Sequence, residues 1–136
     1  MTTMGETGLL TRKVLEYVET MRQLVPTAET PEDWAPLTEF VAVDDFERVG
    51  TFLEVQDWKQ YTRLLTQWSS ATAQFETVVR RISELDRLVY YEIEERHQRP
   101  GGVHVVNSMT VFAFDDAGKI RHLDVYLQQV PPGSAG

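Results

Sequence analysis

The sequence has no cysteine, which excludes disulfides, thiolate nucleophiles and Cys-type zinc sites together. It has no apolar run near the roughly 20 residues of a membrane span. Met1–Leu10 lacks the charged-then-apolar order of a secretion signal, so a cytoplasmic location without membrane contact is expected. Basic residues are few: Lys plus Arg is 13 against 21 Asp plus Glu, a net charge of −8. Residues 1–57 hold twelve of the acids and four of the bases, and residues 58–136 carry nine of each. Such a field does not attract phosphate backbones, so neither nucleic acid nor an anionic membrane is an expected partner. Gly-rich phosphate loops and nucleophile elbows are missing too. What remains is 136 residues, 42% hydrophobic and 25% charged, enough for one globular core.

The first half reads as helical. Leu9, Leu10, Val14, Tyr17, Val18, Met21 and Leu24–Val25 recur at helical spacing, predicting an amphipathic helix over 9–25 that Pro26 ends. Thr30-Pro31-Glu32-Asp33 has the order of a helix start, and Trp34, Leu37, Phe40 and Val41 line one side of the helix it opens. Phe46–Gln56 reads as a short strand or hairpin around Gly50. Asp57 caps a third helix with Trp58, Tyr61, Leu64, Leu65 and Trp68 as its stripe.

Beyond residue 74 the period falls to two, and Phe75–Ser83, Leu88–Gln98, Val103–Phe114 and Ile120–Gln128 read as strands. Arg99–Gly102 is a turn, and Asp115–Lys119 is a hairpin loop in which Gly118 is free to take positive φ. Helices first and an antiparallel meander afterwards give an α+β fold, one curved sheet over the helices. The domain spans 9–129, between a flexible N-terminus over 1–8 and a flexible tail over 130–136.

Regular alternation through both hairpins gathers Tyr91, Glu95, Ser108, Thr110, Phe112, His122, Asp124 and Tyr126 on one face. The other face holds Val105, Met109, Val111, Leu123, Val125 and Leu127. Either the mixed face is solvated and the apolar face packs on the helices, or the mixed face lines a ligand cavity. In the second case the apolar strip is too large to stay wet, and a homodimer through the sheet's outer face is expected. His97 and His104 lie at the Arg99–Gly102 turn, whereas His122 pairs about 26 Å down the strand at 3.3 Å per residue. The three cannot share an ion, and no metal site is expected.

The stretch Val111–Gln128, VFAFDDAGKIRHLDVYLQ, resembles the last hairpin of the nuclear transport factor 2-like (NTF2-like) superfamily, with its F-x-F-D-x-x-G-[KR]-I core. The helical order, the aromatic third helix and the position of Tyr17 are similar to its small-enzyme branch, the ketosteroid isomerases and SnoaL-like polyketide cyclases. The resemblance covers roughly residues 8–129. It implies a cone of three N-terminal helices packed in a curved antiparallel sheet that encloses a pocket. It also implies cofactor-independent chemistry, with Asp124 of His122-Leu123-Asp124 as general base and Tyr17 as oxyanion donor. The isomerases' protonated acid corresponds to Thr110, and their base falls near Arg48, with Glu47 one residue off.

Two readings of function follow, and a third beside them. The first is an acid/base enzyme performing isomerisation, cyclisation or dehydration on a hydrophobic carbonyl compound such as a polyketide or steroid. Asp124 is its base and His122 the partner, with Tyr17 or Tyr126 as oxyanion donor. Its pocket wall is drawn from Trp34, Phe40, Trp58, Tyr61, Tyr91, Glu95, Ser108, Thr110 and Phe112. The second is a non-catalytic ligand-binding or assembly module. The third, an epoxide hydrolase, needs a second carboxylate near Asp124, for which Glu95 is the candidate. A structural ion pair of Asp124 with Arg121 or Arg81 competes with all catalytic roles for it.

Overall fold

The computed structural model of the chain describes residues 8–71 and 75–130. The flexible ends expected at 1–8 and 130–136 lie outside the described residues, Gly8 and Val130 apart. Helix α1 (Leu9–Leu24) buries Val14 and Tyr17 from its apolar stripe and stops before Pro26, as its periodicity predicts. The segment opened by Thr30 is a 3-10 helix over Pro31–Phe40. Pro36 has no N–H to continue an α-helix, and its ring would collide there with the carbonyl four residues back. Asp33 holds the start: its Oδ2 accepts the N–H groups of Glu29 (2.8 Å) and Thr30 (3.0 Å), which lowers its pKa below the ordinary carboxylate value. Helix α2 (Trp58–Ala71) opens with a reciprocal cap, Gln60 N–H to Asp57 Oδ1 (2.8 Å) and Asp57 N–H to Gln60 Oε1 (2.9 Å). Trp34, fully buried, donates Nε1–H to Thr66 Oγ1 (3.1 Å) and so ties the 3-10 helix to α2. No helix among the described residues is long and apolar enough to cross a membrane.

Six strands form one curved, unclosed sheet: β1 (Glu47–Val49), β2 (Val55–Gln56), β3 (Phe75–Leu85), β4 (Leu88–Arg99), β5 (Gly102–Phe114) and β6 (Ile120–Gln128). Their order is β2-β1-β6-β5-β4-β3. The expectation of a wholly antiparallel sheet is corrected, because β1 runs parallel to β6. More than sixty residues separate the two strands, and such a long connection permits parallel pairing.

The register decides which side chains face the helices. In β4–β5 it is as expected: His97 faces His104, Glu95 faces Val106 and Tyr91 faces Thr110. The β5–β6 loop also closes as expected. Asp115 N–H donates to Lys119 O (2.8 Å), Asp115 Oδ1 accepts the N–H groups of Ala117 and Lys119 (both 2.9 Å), and Gly118 takes φ 79°. Phe114 faces Ile120, but Ala113 faces His122, and Arg121 is left over as a bulge. From there every pair is shifted by one: Phe112 faces Leu123, Val111 faces Asp124 and Met109 faces Tyr126. A one-residue shift exchanges the two faces of a strand. Leu123, Val125 and Leu127 therefore turn toward the helices, and His122, Asp124 and Tyr126 turn outward.

Candidate functional site

Between α1, α2 and the sheet lies a cavity of about 380 Å³, mostly apolar, within the range of small-molecule sites. Four rows of the sheet form its floor. The first runs through Phe112, Leu123 and Arg48. The second holds Tyr91, Thr110 and Val125, the third Ile93, Ser108 and Leu127, and the fourth Glu95 beside Thr77. Tyr17, Val18 and Met21 of α1 and Tyr61, Leu64, Leu65 and Trp68 of α2 cover this floor.

The buried end is aromatic and polar. The Tyr17 ring packs edge-on against Phe112 (5.9 Å) and Phe40 (6.3 Å), and Phe46 stacks on Tyr61 (5.6 Å). The Arg48 guanidinium lies 5.2 Å from the Tyr61 ring centroid and donates one N–H to Gln56 Oε1 (2.7 Å). The Tyr17 hydroxyl is fully enclosed and meets no hydrogen-bond partner of good geometry among the described residues. Its polar neighbour is Tyr61, close enough for the two phenols to act on each other through charge and a poorly aligned side-chain hydrogen bond. Burial pushes the Tyr17 pKa well above its ordinary value, Tyr61 adds to the rise and Arg48 opposes it. Burial raises Tyr61 as well, against Arg48 and Tyr17, which lower it.

The opposite end is more open, with exposed Thr77 and Arg22 at its rim. Arg22 is already paired with Glu19 (2.6 Å). Glu95 is the carboxylate of the lining, and its Oε1 is 2.9 Å from His97 Nε2, a contact that alternation along β4 brings about. Burial raises the Tyr91 pKa, and the charge of Glu95 raises it further, which sets that phenol close to the carboxylate. Ser108 and Thr110 carry hydroxyls on the rows between.

Of the residues expected from the sequence, Tyr17, Tyr61, Tyr91, Glu95, Ser108, Thr110 and Phe112 come together around the cavity. Asp124, His122 and Tyr126 do not: the Arg121 bulge turns them to the outer face. There His122 sits between two carboxylates, with Nδ1 3.1 Å from Glu47 Oε1 and Nε2 3.0 Å from Asp124 Oδ1, while Tyr126 is 59% exposed. Asp124 thus pairs with His122 and not with Arg121 or Arg81, the latter being bound to Glu92 (2.8 Å). An epoxide hydrolase built on Asp124 with Glu95 is ruled out, since the two lie on opposite faces. Trp34, Phe40 and Trp58 are also corrected: they pack in the core or against it and do not line the cavity. Among the described residues no three His, Asp or Glu side chains are placed to hold a metal ion.

Arg48, noted from the sequence only as the place where the isomerases' base falls, was not expected in the pocket wall, yet it lines the cavity. It is the single base between Arg22 and Lys59, in a stretch rich in acids, and that isolation was the available signal.

This architecture is the NTF2-like fold. No protein-family model matches the sequence, and no curated protein matches it. The structure is similar to an NTF2-like protein from Anabaena variabilis ATCC 29413, at 16% identity over 96% of each chain, with a TM-score of 0.72. It is similar to an NTF2-like protein of unknown function from Exiguobacterium sp. 255-15, at 13% identity over 87% of this chain and 99% of that one, with a TM-score of 0.68. It is also similar to a proposed SnoaL-like polyketide cyclase from Shewanella putrefaciens CN-32, at 11% identity over 87% of this chain and 79% of that one, with a TM-score of 0.67.

Proposed function

We propose that the chain is an acid/base enzyme acting on a hydrophobic carbonyl compound, with Glu95 as the base and Tyr91 as the oxyanion donor. The observation that carries this reading is the presence of a carboxylate beside a buried phenol in a mostly apolar cavity. His97 holds Oε1 of Glu95, and Oε2 takes a proton from the carbon next to the carbonyl. The electron pair moves onto the carbonyl oxygen, where the Tyr91 hydroxyl donates to it. Return of the proton at another carbon gives isomerisation. Attack of the enolate on a second carbonyl gives cyclisation, and loss of a β-hydroxyl gives dehydration. The likeness to a proposed SnoaL-like cyclase agrees with this chemistry.

The test needs no knowledge of the natural substrate. Exchange of α-protons in D2O, followed by NMR over a panel of aryl and polycyclic ketones, reads the proton-abstraction step directly. A positioned general base contributes about 10²- to 10⁴-fold, so Glu95→Gln is expected to slow exchange by at least about 100-fold. Exchange at the wild-type rate in Glu95→Gln refutes the assignment. A ligand-binding module without chemistry is the reading that then stands.

We infer in addition that two copies associate through the outer sheet face. Val105, Met109, Val111 and Tyr126 supply its apolar part, and Leu123, Val125 and Leu127, expected there from the sequence, belong to the cavity. Met109→Glu is expected to yield a monomer in sedimentation. A wild-type monomer at micromolar concentration rules the dimer out.

A further inference from the structure

The Arg48 guanidinium is a fixed positive charge at the buried end of a mostly apolar cavity. Guanidinium groups carry five N–H donors, and the protein takes one of Arg48's through Gln56. No carboxylate lies within 4 Å of it among the described residues, although Arg22, Arg81, Arg87 and Arg96 all have such a partner. Glu54, in the adjoining turn, feels the charge of Arg48 and has its pKa lowered, chiefly by its own and Phe52's backbone N–H groups; the Phe52 bond is 2.8 Å. A half-buried guanidinium with most of its N–H donors unused favours an anionic partner. Arg48 lies over the Tyr61 ring at this end of the cavity, beside the Tyr17–Tyr61 pair.

This corner is separate from the reacting end. Arg48 shares a row with Phe112, and Glu95 is three rows further along the sheet. Two residues per row at 3.3 Å each put those rows about 20 Å apart along the strand direction. Tyr91 lies between the two, one row from Phe112 (ring centroids 6.1 Å apart), so a carbon deprotonated at Glu95 leaves the Arg48 corner to a different part of the same molecule.

We propose that the ligand is an elongated hydrophobic carboxylic acid, whose carboxylate seats on Arg48 while its apolar body runs toward Glu95. A carboxylate offers acceptors in the geometry a guanidinium fork requires and brings a negative charge into direct contact with it. The inference rests on the acid/base reading only for what happens at the far end of the ligand.

The experiment compares carboxylates with their carboxamides, which have nearly the same shape and no charge. Benzoate, biphenyl-4-carboxylate and terphenyl-4-carboxylate are titrated calorimetrically against the corresponding amides. At least one carboxylate is expected to bind ten-fold or more tightly than its amide, the preference falling below two-fold in Arg48→Gln and persisting in part in Arg48→Lys. Near-ultraviolet circular dichroism confirms that the variants keep their packing. If no carboxylate binds more tightly than its amide, or if Arg48→Gln keeps the full preference, the proposal is overturned. Glu95→Gln separates the two readings. Loss of α-proton exchange with the carboxylate preference intact supports both. Wild-type exchange in that variant refutes the reaction and leaves the Arg48 corner standing, and equal binding of acid and amide does the reverse.

Discussion

Replacing Tyr17 by Phe is expected to stabilise the protein, the opposite of what removing a polar group from a buried site usually does. The ring is 2% exposed, and its edge-on contacts with Phe40 and Phe112 involve the aromatic carbons that Phe retains. What the substitution removes is an enclosed hydroxyl that meets its polar neighbour, Tyr61, in poor hydrogen-bond geometry. Leaving such a group unsatisfied costs about 1–3 kcal/mol, and the packing lost with one oxygen is worth a few tenths by summed atomic contacts. A net gain of about 1 kcal/mol follows, or a rise in Tm of about 3–4 °C for a domain of this size. Urea unfolding followed by tryptophan fluorescence measures it, since all three tryptophans lie in the helical layer that the unfolding disrupts. A loss of 1 kcal/mol or more would refute the reasoning, because it would mean that Tyr17 makes a hydrogen bond to Tyr61 that stabilises the fold.

The alkaline limb of stability carries a second prediction. Tyr17, Tyr61 and Tyr91 all have pKa values raised above the ordinary 10.0, so the unfolded chain releases those protons first. Their contribution is intact below pH 10 and is lost as pH rises from 10 through the native values, by about 1.4 kcal/mol per pH unit for each phenol. Urea midpoints between pH 8 and 11.5 should stay level and then fall steeply, less steeply in Tyr17→Phe; a fall that begins below pH 9 contradicts this. Asp124→Asn, on the outer face, should change ketone exchange and carboxylate binding by less than two-fold, and a hundred-fold loss of exchange would return the base to that strand. Gly118→Ala puts a side chain at φ 79° and should cost about 1 kcal/mol in urea unfolding; an unchanged midpoint would show that the loop relaxes.

The class of fold was legible because the change of period from helical to strand near residue 74 is a backbone property that side-chain spacing reports directly. The β4–β5 register was legible as well, since a short turn at Arg99–Gly102 leaves few ways to close. The helix at 31–40 was half legible. Its start was visible in Thr30-Pro31, but the effect of Pro36 on its type depends on which carbonyl its ring meets. Arg48 was visible as an isolated base at the isomerases' base position, but not as a cavity residue, because its place beside Leu123 comes from a parallel partner strand more than sixty residues away. Pairing at that distance leaves no local pattern.

The faces of β6 were misread for a different reason, and the information was in the sequence. In Ile120–Gln128 both Ile120 and Leu123 are core residues, 0% and 2% exposed. They are three apart, and strict alternation would send one of them to solvent. Two inward residues at odd spacing require one extra residue between them, and Arg121 is that residue. The alternation Leu123, Val125, Leu127 is apolar throughout and the alternation His122, Asp124, Tyr126 is polar, so burial favours the shifted register at every step past the bulge. Assigning the ionisable set to the cavity would instead have enclosed His122 and Asp124 beside Phe112 and left Leu123 outside, at about 1.5–3 kcal/mol for that side chain, with less for Val125 and Leu127, which stay partly exposed. A cost of that size exceeds what an exposed ion pair returns and accounts for Asp124 on the outer face.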